Sequence, residues 1–86
     1  MKYCYMLIHR RAIDEKVGDI KPVGYYESRE KVAEVIATLI KLPGFRDYPQ
    51  ILTENSFTVP EGGGSGFMIK KFKINRDYPE ETLIGN

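Results

Sequence analysis

The sequence predicts an α+β fold in the order β-β-α-β-β: a small, mostly antiparallel sheet with one helix packed on one face. Three observations carry that expectation. Residues 3–8, Tyr-Cys-Tyr-Met-Leu-Ile, are apolar at every position, which suits a strand covered at least in part on both sides. Val32, Val35, Ile36, Leu39 and Ile40 recur at i, i+3, i+4, i+7 and i+8, one apolar stripe along a helix. Two strand-like segments, 56–59 and 67–74, flank a glycine-rich loop over 61–66. One striped helix must bury its stripe, and a sheet is the only partner this chain supplies.

The elements follow in order. In the first strand Tyr3, Tyr5 and Leu7 point one way and Cys4, Met6 and Ile8 the other. Residues 10–21 are polar and include Gly18, as in a long or irregular connection. A second strand is expected over 23–26, with Pro22 at its start or on an edge because proline cannot donate to a ladder. Ser28 is the expected helix cap. Glu30 in the first turn and Lys41 in the last complement the macrodipole. Lys31 stands where the Glu of a full capping box would reach back. Pro43 and Gly44 stop the helix, and a turn-rich stretch runs to Pro49.

The segments 56–59 and 67–74 are then expected to pair as a hairpin, with 50–66 forming a hairpin or loop insertion. Phe67 and Ile69 have one parity, Met68, Phe72 and Ile74 the other. Both faces of that strand are then partly buried, or a bulge near Lys70 and Lys71 switches them. The motif Arg46-Asp47-Tyr48-Pro49 recurs as Arg76-Asp77-Tyr78-Pro79. The flanks of the two copies do not match, so this is one kind of corner used twice rather than a repeat. Pro79-Glu80-Glu81 suits a single helical turn in a tail, 79–86, that is expected to fray.

Composition narrows the function classes. The 86 residues carry 13 Lys+Arg against 12 Asp+Glu, a net charge of +1, with one Cys, one His and no Trp. A chain of this length is expected to form one domain, 1–86. One Cys closes no internal disulfide. Near-neutral charge lacks the electrostatic footprint of a nucleic-acid or polybasic membrane binder. No apolar run is long enough for a signal h-region or a bilayer span. The expected compartment is therefore the cytoplasm, without a membrane partner.

The chemistry-bearing residues are sparse. Cys4 and His9 stand five positions apart on one strand, directed to opposite faces and more than ~10 Å apart, so they form no nucleophile–base pair. Two Cys or His residues fall short of a structural zinc site, and no Asp-x-Asp-x-Asp loop is present. No metal, cofactor or catalytic residue is expected. The run Gly62-Gly63-Gly64-Ser65-Gly66 lacks the Lys-Ser/Thr of a P-loop and the spacing of a dinucleotide fingerprint, and a strand follows it rather than a helix. It reads as a mobile hairpin loop, or as a flap over a binding surface.

Two candidate surfaces remain. Six residues are Tyr, and Tyr3, Tyr5 and Tyr25, with Phe72, are expected to crowd neighbouring strands. One helix cannot cover both faces of a sheet, so such residues suit an association surface for a second copy or another protein. Phe67, Lys70, Lys71, Phe72 and Lys73 combine bases with aromatics, as a single-stranded nucleic-acid surface would. The leading expectation is a non-catalytic interaction or homodimerising module. Alternatives are the nucleic-acid binder, a toxin-neutralising binder, and a small enzyme using His9 with a carboxylate, which requires the two in one concave pocket.

Residues 24–33, Gly-Tyr-Tyr-Glu-Ser-Arg-Glu-Lys-Val-Ala, then 42–49, Leu-Pro-Gly-Phe-Arg-Asp-Tyr-Pro, then 67–75, Phe-Met-Ile-Lys-Lys-Phe-Lys-Ile-Asn, together resemble a group of small uncharacterised bacterial proteins. Their pattern is a strand, a Ser-capped helix, a Pro-Gly-Phe corner and a closing Phe-x-Ile-x-x-aromatic strand. The resemblance implies a fold and no activity or site. Residues 50–66 look like an insertion relative to that group, and Tyr78 stands where its members tend to carry Trp.

Overall fold

In the computed structural model, which describes residues 3–14 and 16–74, the chain forms β1 (Tyr3–Ala12), β2 (Gly18–Tyr26), α1 (Arg29–Leu39), β3 (Ile51–Thr53) and β4 (Gly66–Lys73). The order β-β-α-β-β stands. One sheet runs β2-β1-β4-β3, antiparallel at β1–β2 and β1–β4 and parallel at β3–β4. The long apolar strand is thus central, and Leu7 on one face and Ile8 on the other are both buried. The expected helical turn at Pro79-Glu80-Glu81, the fraying of 79–86 and the second Arg-Asp-Tyr-Pro corner fall outside the described residues.

The helix forms where its local signals place it. The Ser28 side chain accepts a hydrogen bond from the Lys31 N–H at 3.1 Å, relieving one orphan donor of the first turn. Val32 and Ile36 are buried against Leu7, Phe67 and Ile69, with Val35, Leu39 and Ile40 packed at the margin. Ile40 is the C-cap, so Lys41 lies beyond the last turn rather than in it. The Arg29 Nε sits 2.8 Å from Glu54 Oε1, an exposed pair worth about 0.2–1 kcal/mol that ties the helix start to the end of β3.

The first hairpin is longer than expected. Arg10, Arg11 and Ala12 pair with Ile20, Asp19 and Gly18, where the polarity of 10–21 suggested an irregular connection. A sheet's ladder uses backbone groups, so a polar stretch continues a strand wherever its neighbours supply partners. Asp14 Oδ1 closes the tip by accepting from the N–H groups of Lys16 and Val17, both at 2.8 Å, a side-chain-made turn. Pro22 lies within β2, at the sheet edge as its chemistry requires. The register shifts beside it, between Leu7 and Ile8. The extra residue opposite that step is Val23, which packs against the core.

The segment after the helix departs from expectation. Residues 56–59 form no strand; β3 is Ile51–Thr53 and runs parallel to β4. Around Ser56 the polar groups bond locally: Thr53 Oγ1 donates to its carbonyl, and its Oγ accepts from the Thr58 N–H. These bonds turn the chain instead of extending a ladder. A parallel pair needs a crossover of about a dozen residues, and 54–65 provide it by passing over the sheet face opposite the helix. The Phe57 ring lies 6.3 Å from that of Phe72, and the Gly64 carbonyl accepts from Arg10. Met68 is fully buried on that same face, so the sheet has two packed faces of unequal extent.

Candidate functional site

The register distributes the expected aromatic surface over both faces. Tyr3 and Tyr5 stand across from Lys73 and Lys71, on the face that carries α1. The Lys71 ammonium lies 4.2 Å from the Tyr3 ring centroid and 5.8 Å from that of Tyr5, within cation–π range. Tyr25 and Phe72 lie on the other face, opposite Met6 and Cys4 respectively. Side chains alternate strictly with period two, so residues grouped by type need not share a surface.

On that second face Phe57 covers Phe72, while Tyr25 is 66% exposed. Ile20, opposite Arg10, is 49% exposed, and Pro22 between them is exposed too. With the half-buried Met6 these residues make an apolar strip along β2. The free edge of β2 carries Asp19, Lys21, Pro22 and an adjoining bulge, the devices that blunt an edge against strand addition. At β2 the sheet thus offers an exposed apolar face beside an edge that disfavours strand addition.

The residues of the nucleic-acid alternative are divided as well. Phe67, Lys71 and Lys73 belong to the helix side, Lys70 and Phe72 to the opposite side. Phe67 is fully buried with Leu7, Val32, Ile36 and Ile69 and offers no face to a base. Lys70 sits 5.1 Å from the Phe72 ring centroid.

Cys4 and His9 lie on opposite faces, as their spacing implies. His9 lies within β1, two residues beyond Leu7, and is only 4% exposed. Its ring meets Phe45 and Phe67 edge-on, at 4.9 and 4.7 Å between centroids. Phe45 and Phe67 themselves stack, 5.9 Å apart and 8° from parallel. The corner over 42–48 thus continues the core beyond the helix end. Nε2 of His9 donates to the Tyr48 carbonyl at 3.2 Å, since a carbonyl can only accept.

A cavity of about 160 Å³ opens beside this ring, lined by His9, Arg11, Asp19, Lys21 and Gly44. His9 titrates below the ordinary 6.5, chiefly because it is buried. The Tyr48 bond opposes that lowering; the charges of Lys21 and Arg11 add to it. Sequence reasoning reached Arg11 only as a neighbour of His9 that could bind an anion, and did not reach Asp19, Lys21 or Gly44. The available signal was the alternation His9-x-Arg11 and Asp19-x-Lys21, which shares one face if the hairpin continues past Ile8.

Arg10 does not join His9 and Arg11: it is 1% exposed, on the face opposite His9. Its Nη1 donates to the Gly64 carbonyl, and its Nη2 is buried without a partner among the described residues. Ser65 pins the glycine run further: its Oγ accepts from the Ala12 N–H, and its carbonyl from Gln50 Nε2. The run therefore packs over a buried guanidinium, where a mobile hairpin loop was expected.

No group of three or more His, Cys, Asp or Glu gathers as a metal site among the described residues. Nor is any helix among them long and apolar enough to cross a membrane. No known protein family, curated protein or solved structure matches this chain.

Proposed function

We propose that this chain is a non-catalytic interaction module that pairs with a second copy through the sheet face opposite the helix, acting in the cytoplasm. The carrying observation is the apolar strip of Tyr25, Ile20, Pro22 and Met6, on a face that the 54–65 segment covers over β4 and the Arg10 end of β1 while Ile20, Pro22 and Tyr25 of β2 stay exposed. Tyr brings a large apolar body at low conformational cost, and suits interface cores. A net charge of +1 lets two copies approach with almost no repulsion. The blunted β2 edge favours face-to-face packing over strand addition.

A non-catalytic role also accords with His9. The criterion set for an enzyme, His9 and a carboxylate in one concavity, is met by Asp19. Yet the ring is oriented by a backbone carbonyl, not a carboxylate, and its other charged neighbours are cations, which oppose the imidazolium a general base must form. The nucleic-acid reading draws no support from a set of residues split between two faces with Phe67 buried.

Sedimentation tests the proposal. The wild-type chain is expected to sediment as a dimer at micromolar concentration, and Tyr25→Glu or Ile20→Glu to convert it to a folded monomer. A wild-type monomer at high concentration refutes self-association. Unchanged dimerisation in both variants refutes this face as the interface.

A further inference from the structure

We propose that the cavity between the β1–β2 hairpin and the 42–48 corner binds a tetrahedral oxyanion of the phosphate type, free or as the terminal group of a small metabolite. The cavity is independent of the proposed pairing surface, since His9, Arg11 and their partners Lys21 and Asp19 lie on the helix side of the sheet.

Size sets the first limit. About 160 Å³ is several times the ~30 Å³ share of one water and below the ~300 Å³ at which pockets hold drug-sized ligands. A small ion or a single terminal group fits; a nucleotide buried whole does not.

Charge sets the second. Arg11 and Lys21 face one acid, Asp19, leaving an excess positive charge that His9 increases on protonation. Neither cation forms an ion pair among the described residues. The Arg11 guanidinium lies instead 5.7 Å from the Tyr48 ring centroid, and the Lys21 ammonium 5.3 Å from that of Phe45. Both lie over aromatic faces at the cavity wall, with no hydrogen bond from either to a described residue. A guanidinium and an ammonium converging on one small space is an arrangement that recognises an oxyanion. Gly44 leaves the wall open, since a Cβ there would meet nothing within 4 Å.

His9 makes binding proton-linked. Nε2 already carries the hydrogen given to Tyr48, so a second proton goes to Nδ1, which has no partner among the described residues. Protonated, it adds a charge and a donor beside the anion. Among the described residues the charged groups facing it are Arg11 from β1 and Lys21 and Asp19 from β2; the corner and β4 contribute the aromatic rings of Phe45, Tyr48 and Phe67. Linkage then requires that an anion favouring the protonated ring also raise its proton affinity.

The chain's only histidine gives self-assigned imidazole signals in NMR. These are followed against pH in sulfate, which keeps its charge throughout, and in chloride at equal ionic strength. Sulfate is expected to raise the His9 midpoint by about one unit, a tenfold gain in proton affinity, with half-saturation near 1 mM. The double variant Arg11→Gln/Lys21→Gln, at two exposed positions, is expected to abolish the shift while its circular dichroism stays native. Titrations at neutral pH with inorganic phosphate and with phosphoserine separate the sources: tighter binding of phosphoserine marks a terminal group, tighter binding of phosphate a free ion. Equal midpoints in sulfate and chloride, or a sulfate shift that survives in the double variant, overturn the proposal.

Discussion

Replacing Arg10 by methionine should make this protein more stable. The Arg10 side chain is almost wholly buried, donates through Nη1 to the Gly64 carbonyl, and leaves Nη2 unbonded among the described residues. No acidic side chain forms an ion pair with it among the described residues. A buried charge costs several kcal/mol in lost hydration, repaid only by excellent pairing. Arg10→Met keeps most of the stem's packing and removes the charge and the orphan donor together. It also leaves the Gly64 carbonyl without its partner, a cost of about 1–3 kcal/mol. Replacement of buried ionic groups by apolar ones of similar volume ranges from neutral to about 4 kcal/mol stabilising. A guanidinium with no acid paired to it among the described residues belongs at the upper end of that range, and about 4 kcal/mol set against about 2–3 kcal/mol for the carbonyl leaves an expected net gain of about 1–2 kcal/mol. For a domain of this size each kcal/mol moves Tm by roughly 4–8 °C. Arg10→Ala, which deletes the stem as well, should instead lose about 2 kcal/mol through the cavity it opens. Urea melts of the three proteins at pH 7 measure both differences. Destabilisation of Arg10→Met by more than about 1 kcal/mol refutes the reasoning, because it would mean that the guanidinium is a net stabilising group where it stands.

Two further outcomes follow from the same structure. Gly66→Ala should destabilise by about 2–4 kcal/mol: its φ is +153°, and a Cβ would collide with the Gln50 carbonyl oxygen that accepts the Phe67 N–H. A denaturant midpoint within error of wild type would contradict that backbone geometry. Because His9 titrates below its ordinary 6.5 when folded, the unfolded chain binds more protons between the folded midpoint and 6.5. Stability is therefore full above about pH 6.5 and falls as pH drops through that window. Asp14, lowered from 3.8 by its bonds from Val17 and Lys16, loses its own contribution only at more acid pH. His9→Gln should flatten the first slope in urea melts taken across that range, and a slope unchanged in the variant would assign it to another group.

What the sequence determined by itself was whatever rests on neighbours in the chain. Ser28 caps α1 because a hydroxyl three residues from an orphan N–H reaches it without help from elsewhere. The stripe from Val32 to Ile40 lies on the core because helical period alone puts those residues on one side. The unbroken apolar run in 3–8 was enough to make β1 central, and the period of two along a strand was enough to separate Cys4 from His9.

Tertiary structure decided what depends on pairing between distant segments. Whether 9–12 are strand or loop was settled by Gly66 and Phe67 on one side and Lys21 to Gly18 on the other, and no local pattern in His-Arg-Arg-Ala encodes those partners. Strand register assigned Tyr3 and Tyr5 to one face and Tyr25 and Phe72 to the other. The parallel β3 arises because Gln50 and Ile51 meet Phe67 after the chain has crossed the sheet, and bonds around Ser56 turn the stretch that looked most like a strand. His9, Arg11, Asp19, Lys21 and Gly44 span 36 positions of chain. They become one cavity only when the hairpin and the corner close on each other. Backbone hydrogen bonds are indifferent to side-chain type, and packing is indifferent to sequence distance; both kinds of site therefore appear only in the folded chain.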